Sequence, residues 1–336
     1  MTSVTGAGAG TAYEAAARQA LARFGLETAE LSFVLMSENV TFRATDPRDG
    51  SRFVLRLHRP WYHDIAALKS EHLWTGALLD AGVSVPIPLR TADGEEFVQV
   101  AIPELAEQRW VGIARWVEGE LLSEVLAREA DPGATAGHFA RLGGIMAAVH
   151  NQAAGWTPPP GFRRHALDAD GLMGPAPFWG PFWEHRLLSP DERRLLLATR
   201  DRLHAALLRY GRAGHTFSMI HSDLHSRNVL VDGARAAVID FDDSAFGWHQ
   251  YDLAAALVAY QRQPAFPAIR DACIAGYRAV RALSDQDLAL LPMFLLIRSL
   301  ASIGWYHQRP ELTPSMDLPQ LKDHVCGIAA QFDPPC

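Results

Sequence analysis

Along residues 12–24, AYEAAARQALARF, apolar side chains recur every three or four positions, the period of an amphipathic helix. The period then changes. LSFVLMSENVTFRAT (31–45) and RFVLRLH (52–58) are dense in Val, Phe and Leu and flank the polar DPRDGS, so they predict two strands joined by a turn. From Ile65 to Leu79 the helical spacing returns, and it stops at Asp80, Ala81 and Gly82, with Gly82 suited to a C-cap. After VPIPL come two further strand candidates, EFVQVAI (96–102) and WVGIARWV (110–117). Residues 25–117 thus predict a small antiparallel sheet with one inserted helix.

Beyond Glu118 and Gly119 the helical period dominates, with segments at 136–150, 190–210, 251–262, 265–282 and 286–306. Two features interrupt it. Residues 155–183 are dense in Pro, Gly and aromatics, and a loop of that length in a compact domain is usually functional or mobile. FSMIHSDLHSRNVLVDGARAAVIDFDDSAFG (217–247) reads as short strands separated by tight turns. The pattern predicts an α+β chain of two lobes: a tail at 1–11, an N-terminal lobe at 12–117, and a mainly helical C-terminal lobe at 118–336. No repeat is visible.

Composition narrows the function. At 336 residues, with 49% hydrophobic and 21% charged residues, the chain has ordinary globular proportions and enough length for two lobes. A formal charge of -7 excludes the net basic footprint of a nucleic-acid binder. Cys273, Cys326 and Cys336 form no disulfide framework or metal knuckle, which points to a reducing compartment. The N-terminus lacks the basic and apolar regions of a secretory signal. The longest apolar run, LALLPMFLLI (288–297), holds Pro292 and stops at Arg298, so it predicts a buried helix rather than a membrane span. The expectation is a cytoplasmic protein with no nucleic-acid or membrane partner; the oligomeric state is not legible. Almost every cation is arginine, since Lys69 and Lys322 are the sole lysines.

The chemistry concentrates in one segment. HSDLHSRNVLV sets Asp223 and Asn228 at the two ends of a short loop before an apolar strand, and VIDFDD sets Asp240 and Asp242 at the end of a second. The Asp232–Gly233 turn between those strands would bring loop and acidic tip together. Mg²⁺ takes hard oxygen ligands, typically one or two protein carboxylates plus substrate phosphates, so the constellation points to a nucleotide-using kinase. The D-x-x-x-x-N then D-F order matches the catalytic and metal loops of protein kinases. An ordinary Asx-rich turn would not predict the second acidic strand end.

IHSDLHSRNVLVD, IDFDD and the later YDLA resemble the aminoglycoside phosphotransferase and choline kinase family, nearest in look to the branch that holds the stress-response Ser/Thr kinase and several small-metabolite kinases. The resemblance implies a protein-kinase-like fold, with a small antiparallel-sheet N-lobe and a helical C-lobe. It makes Asp223 the catalytic base, Asn228 and Asp240 the metal ligands, His221 a loop-shaping residue and Asp252 a brace for the catalytic loop. Asp242 and Asp243 are read as turn carboxylates or acceptor contacts, with contact to a second metal through water a further reading of Asp242.

In the N-lobe the phosphate grip falls to Arg56 on a strand, paired with Glu71 on the next helix, because Lys69 lies on the helix instead. Guanidinium can hold phosphate bidentately. No G-x-G-x-x-G or G-x-x-x-x-G-K-[ST] occurs, so the turn Ser37, Glu38, Asn39 becomes the candidate phosphate loop. Trp116, Val117 and Glu118 resemble the hinge whose backbone holds adenine. Trp179 and Trp183 of PFWGPFW are read two ways: an aromatic wall for an amine-bearing acceptor, or a plug that packs a helix. The leading expectation is a Mg²⁺-dependent O-phosphotransferase that uses ATP, or GTP, on a small hydroxylated acceptor such as an amino alcohol, a hydroxylated amino acid or an antibiotic. A Ser/Thr protein kinase and a pseudokinase scaffold are the alternatives. The short run from DFDD to YDLAAAL favours small acceptors.

Overall fold

The structure is a computed structural model that describes residues 7–36, 39–311 and 316–333. In chain order the helices are α1 (Ala7–Arg23), α2 (Ile65–Asp80), α3 (Leu122–Arg128), α4 (Pro132–Gly155), α5 (Ala169–Met173), α6 (Pro190–Tyr210), α7 (His249–Leu257), α8 (Phe266–Arg278), α9 (Asp285–Leu288), α10 (Leu291–His307) and α11 (Leu318–Gln331). The strands are β1 (Glu30–Met36), β2 (Val40–Thr45), β3 (Arg52–Leu57), β4 (Phe97–Ile102), β5 (Glu107–Arg115), β6 (Glu120–Leu121), β7 (Ala166–Leu167), β8 (Phe217–Ile220), β9 (Val229–Asp232), β10 (Arg235–Val238) and β11 (Ala245–Trp248). The chain forms two compact units. One holds the described residues up to Gly119 with Pro158–Arg163 and Leu230–Ile239, and the other holds the remainder.

The first unit is built on a five-stranded sheet of order β1-β2-β3-β5-β4, antiparallel throughout. Alternation along β2 and β3 turns Phe42, Ala44, Phe53, Leu55 and Leu57 to one buried face, where α1 covers them with Ala12, Ala16, Ala17, Ala20 and Leu21. Small side chains on the helix permit that close approach. Arg109 on β5 ties the helix down, donating to the Tyr13 hydroxyl at 3.0 Å and to Glu107 at 2.7 Å. Helix α1 begins at Ala7, inside the stretch predicted as tail, because adding a turn to a nucleated helix costs little. Residues 1–6 of that tail lie outside the described residues. The stop of α2 is a Schellman motif, with Gly82 at φ 84° and the amides of Gly82 and Val83 bonded to Leu79 and Leu78.

The second unit is helical around a small sheet, β7-β11-β8, in which β8 runs antiparallel and β7 parallel to β11. Helix α6 starts on a capping box, Ser189 with Glu192, and Pro190 occupies its first turn, so its ends fall at 190 and 210 as the sequence predicts. The segment predicted as one helix over 286–306 divides into α9 and α10. Pro292 sits in the first turn of α10, where its missing N–H would have no helical partner in any case. The stretch Asp285–His307 is long and apolar enough to cross a membrane, yet 61% of its most apolar window is buried inside the fold, the position of a core helix.

Helices α4 and α8 meet backbone to backbone. A Cβ on Gly143 would stand 2.0 Å from the Cys273 carbonyl oxygen, and one on Gly276 would stand 1.8 Å from that of Ala140. Backbone cannot yield as a flexible side chain can. Gly276→Ala should therefore destabilise the protein by about 1–3 kcal/mol through overpacking, seen as a Tm lower by roughly 2–4 °C per kcal/mol. Gly137, on the same α4 with nothing within 4 Å of a Cβ, should accept alanine without a fall in Tm. Equal melting temperatures for the Gly276→Ala variant and the wild type would contradict this packing.

Candidate active site

Strand β8 carries the chain into the loop that holds Asp223, and β11 carries it out of the acidic tip. Their register pairs Ile220 with Ala245, so His221–Asn228 and Asp240–Ser244 begin from neighbouring points on one sheet. Side-chain bonds then set the loop. Asp252, in the first turn of α7, accepts from the His221 amide at 3.0 Å and from the Ser222 amide at 2.6 Å, and Ser222 Oγ donates to the Asp243 carbonyl at 2.6 Å. Ser222 and Asp240 both take positive φ, 69° and 66°, a strained choice for non-glycine residues that a tightly bonded surround must hold.

Asp252 is held from behind as well. His150 Nε2 lies 3.0 Å from its Oδ2, while His150 Nδ1 lies 2.9 Å from the Tyr277 hydroxyl. Full burial, with some help from Arg281, keeps His150 well below its ordinary pKa, so the ring is neutral. A neutral ring has one N–H. It donates to Asp252 from Nε2 and accepts the Tyr277 proton at Nδ1.

Asp223 stands in the loop with both oxygens engaged. Arg298 Nη2 bonds Oδ1, Asn228 Nδ2 lies 3.3 Å from Oδ2 and 2.9 Å from the Asp223 carbonyl, and His225 Nε2 lies 3.3 Å from Oδ2. Burial alone would raise this carboxyl, but His225 and Arg298 outweigh it and hold Asp223 well below the usual carboxylate range. It is an ionised acceptor of hydrogen bonds throughout the working pH range.

The Asn228 amide nitrogen is taken by Asp223, which leaves its amide oxygen, a hard donor, available. With the Asp240 carboxylate this is a donor set that fits Mg²⁺ completed by phosphate oxygens. Among the described residues no cluster of three or more His, Cys, Asp or Glu could hold a metal unaided. The tip is shaped by Arg164, whose guanidinium donates to the carbonyls of Ser244 at 2.6 Å and Phe241 at 3.2 Å and also to that of Asp242 at 2.5 Å. Asp242 is buried and Asp243 is half-buried.

Arg56 lies on β3 opposite Thr41 and Gly112, and Glu71 is half-buried on α2 of the same unit. Lys69 is occupied by Glu95 at 3.2 Å. Asn39 is buried and accepts from the Arg59 amide at 2.9 Å, a strand-end cap, while Ser37 and Glu38 lie outside the described residues. The Trp116 amide bonds the Arg52 carbonyl at 2.9 Å, and Val117 and Glu118 line a cavity of about 230 Å³ with Leu230 and Ala237. Trp179 and Trp183 are 4% and 7% exposed, under the Arg298 and Arg200 guanidinium groups at 5.4 and 4.9 Å. Arg164 and His150 have no signal in a motif. Arg298 has one in the pattern: it is the lone charge in the otherwise apolar run of α10.

The chain has known relatives. The profile of the phosphotransferase enzyme family matches residues 35–286, which include every residue of the loop and tip. The chain belongs to that family. A microcompartment-associated aminopropanol kinase of known structure is 31% identical, with 94% of this chain and 93% of that one covered at a TM-score of 0.77. A homoserine kinase of Mesorhizobium japonicum is 31% identical over 223 residues, 65% of this chain and 62% of that kinase, so the match spans less than two thirds of that relative. The structure of an amicoumacin kinase in complex with AMP-PNP shares the fold at 22% identity and a TM-score of 0.73, covering 90% of this chain and 89% of its own. The chain is a small-molecule phosphotransferase with an alcohol group as acceptor, on a kinase-like α+β fold.

The Asp252 carboxyl titrates in an accessible range. Burial pushes it up to about 6 against the pull of His221 and two backbone amides. A raised carboxyl binds its proton more tightly in the folded state, so the stability it contributes is full below the unfolded pKa and is lost as pH rises through about 6. Asp252→Asn cannot ionise. Its melting temperature relative to wild type should therefore move in the variant's favour between about pH 4 and 7. A difference that stays flat or moves the other way would contradict the raised carboxyl.

Proposed function

We propose that the protein transfers the γ-phosphate of ATP, with Mg²⁺, to the hydroxyl of a small amino alcohol or hydroxylated amino acid in the cytoplasm. The observation that carries this reading is the Asp223 carboxylate, ionised, held at both oxygens and bonded to the Asn228 amide nitrogen, which leaves the Asn228 amide oxygen available. Asp223 accepts the acceptor's hydroxyl hydrogen and aims an oxygen lone pair at the phosphorus, which makes positioning its main contribution. Asn228 and Asp240 would hold Mg²⁺, which neutralises charge on the transferring phosphate. Arg56, braced by Glu71, grips the α- and β-phosphates in place of the usual lysine, and the Trp116–Glu118 backbone receives adenine.

The acceptor class draws on two similar proteins, one an aminopropanol kinase and one a homoserine kinase. Both names describe short hydroxylated amines. The few residues between the acidic tip and α7 leave no long segment for a peptide substrate, which supports a small acceptor over a protein one.

ADP release from Mg-ATP should rise on addition of 1-amino-2-propanol, L-homoserine or a related compound from a panel of hydroxylated metabolites and antibiotics. Asp223→Asn should lower that turnover by about 10³-fold or more while nucleotide affinity stays within about twofold. Arg56→Ala should instead raise the KM for ATP more than that for the acceptor. Turnover by Asp223→Asn near the wild-type rate would remove Asp223 from the chemistry, and unchanged ATP affinity in Arg56→Ala would remove Arg56 from the phosphate grip.

A further inference from the structure

Helix α10 buries Met293, Phe294, Leu296, Ile297 and Leu300, and in their midst it carries Arg298, whose side chain is 13% exposed. A buried cation in a helix of this composition is costly. Replacing a buried ion pair with well-packed apolar side chains is often neutral or stabilising, so stability alone does not explain a guanidinium here. Its surroundings are specific. The Arg298 Cζ lies 5.4 Å from the centre of the Trp179 ring and 5.9 Å from that of Tyr251, Nη1 donates to the Tyr251 hydroxyl at 3.4 Å, and Nη2 bonds Asp223. The guanidinium plane is thus fixed by two aromatic faces and one hydroxyl before it meets the carboxylate.

The aromatic segment is seated on the same helix. A Cβ on Gly180 would stand 2.7 Å from the Gly304 carbonyl oxygen, and one on Gly304 would stand 2.4 Å from that of Gly180, so the two backbones touch directly beside Trp179. Gly180 also holds φ 94°, open to glycine and strained for other residues. Trp179 is therefore registered against α10 by backbone contact, and Arg298 against Trp179. Arg298 Nε is buried and, among the described residues, bonds no partner.

We propose that Arg298 is a positioning residue for phosphate transfer: clamped by Trp179 and Tyr251, it sets the rotamer of Asp223, and the aromatic segment serves the reaction through this clamp rather than as a wall for the acceptor. The inference rests on the reading that Asp223 meets the acceptor hydroxyl. On that reading Arg298 acts through Asp223 and not by contact with acceptor or nucleotide. Fork geometry and charge both matter, since lysine in this place would keep the charge and lose the fork.

The test is a double-mutant cycle of Arg298→Met with Asp223→Asn, with Arg298→Lys as the conservative variant, using Mg-ATP with L-homoserine and with 1-amino-2-propanol as the two probes. Arg298→Met should lower kcat about tenfold or more with both probes and leave the KM for ATP within about twofold, and Arg298→Lys should recover part of the loss. In the Asp223→Asn background the same Arg298→Met change should cost less than about twofold, because no carboxylate remains to be oriented. A crystal structure of Arg298→Met should show the Asp223 carboxylate turned from its wild-type rotamer. The proposal is overturned if Arg298→Met raises only the KM for L-homoserine, the probe with a carboxylate, which would make Arg298 an acceptor receptor. It is equally overturned by full additivity in the cycle, or by an Asp223 rotamer unchanged in the crystal. If the wild type phosphorylates neither probe, the acceptor class is what fails, and the crystal structure still decides the role of Arg298.

Discussion

The Asp252 carboxyl is wholly buried, and it accepts hydrogen bonds from two consecutive backbone amides of the catalytic loop. Those amides sit where the chain turns through a strained positive φ at Ser222, and unbonded they would be buried donors with nowhere to go. The carboxyl is in turn held by a neutral histidine whose other nitrogen is spent on a tyrosine. Loop shape thus depends on a chain of bonds that runs from α8 through α4 to α7 and ends at His221. Asp223 inherits its place from that chain.

A second layer of electrostatics acts on Asp223 directly. Arg298, His225 and Asn228 surround one carboxylate inside a largely apolar unit, and the charged partners overcome the burial that would otherwise neutralise it. The reaction needs an ionised, immobile oxygen more than it needs a strong base. Partners at both oxygens give that, at the cost of burying a guanidinium in α10. The acidic tip is handled differently: Arg164 satisfies backbone carbonyls there and so fixes its shape.

Much of this is legible in the sequence. Period alone predicts the sheet of the first unit and most of the helices of the second, because their buried faces repeat cleanly, and the capping box bounds the start of α6 to the residue. The loop and the tip are legible because metal and phosphate chemistry dictates residue types at short spacing. The rest is not, for physical reasons. Arg164 and His150 come from segments distant along the chain and act by three-dimensional convergence, which leaves no local pattern. In the sequence Arg298 marks the end of an apolar run, although a lone charge within a buried helix is itself a signal of a paired partner. Pro and Gly density in 155–183 suggests a functional or mobile loop, but Trp179, Phe182 and Trp183 are buried there and the segment is packed onto α10 and α6.

The fate of the γ-phosphate is the most direct test of the account. Followed by phosphorus NMR, the protein with ATP, Mg²⁺ and its preferred small alcohol should convert the γ-phosphate into a new phosphomonoester resonance, with one ADP formed per ester and little inorganic phosphate. ADP and inorganic phosphate in equal amounts with no ester, or no loss of ATP with any hydroxylated acceptor, would contradict a kinase built on Asp223, Asn228 and Asp240.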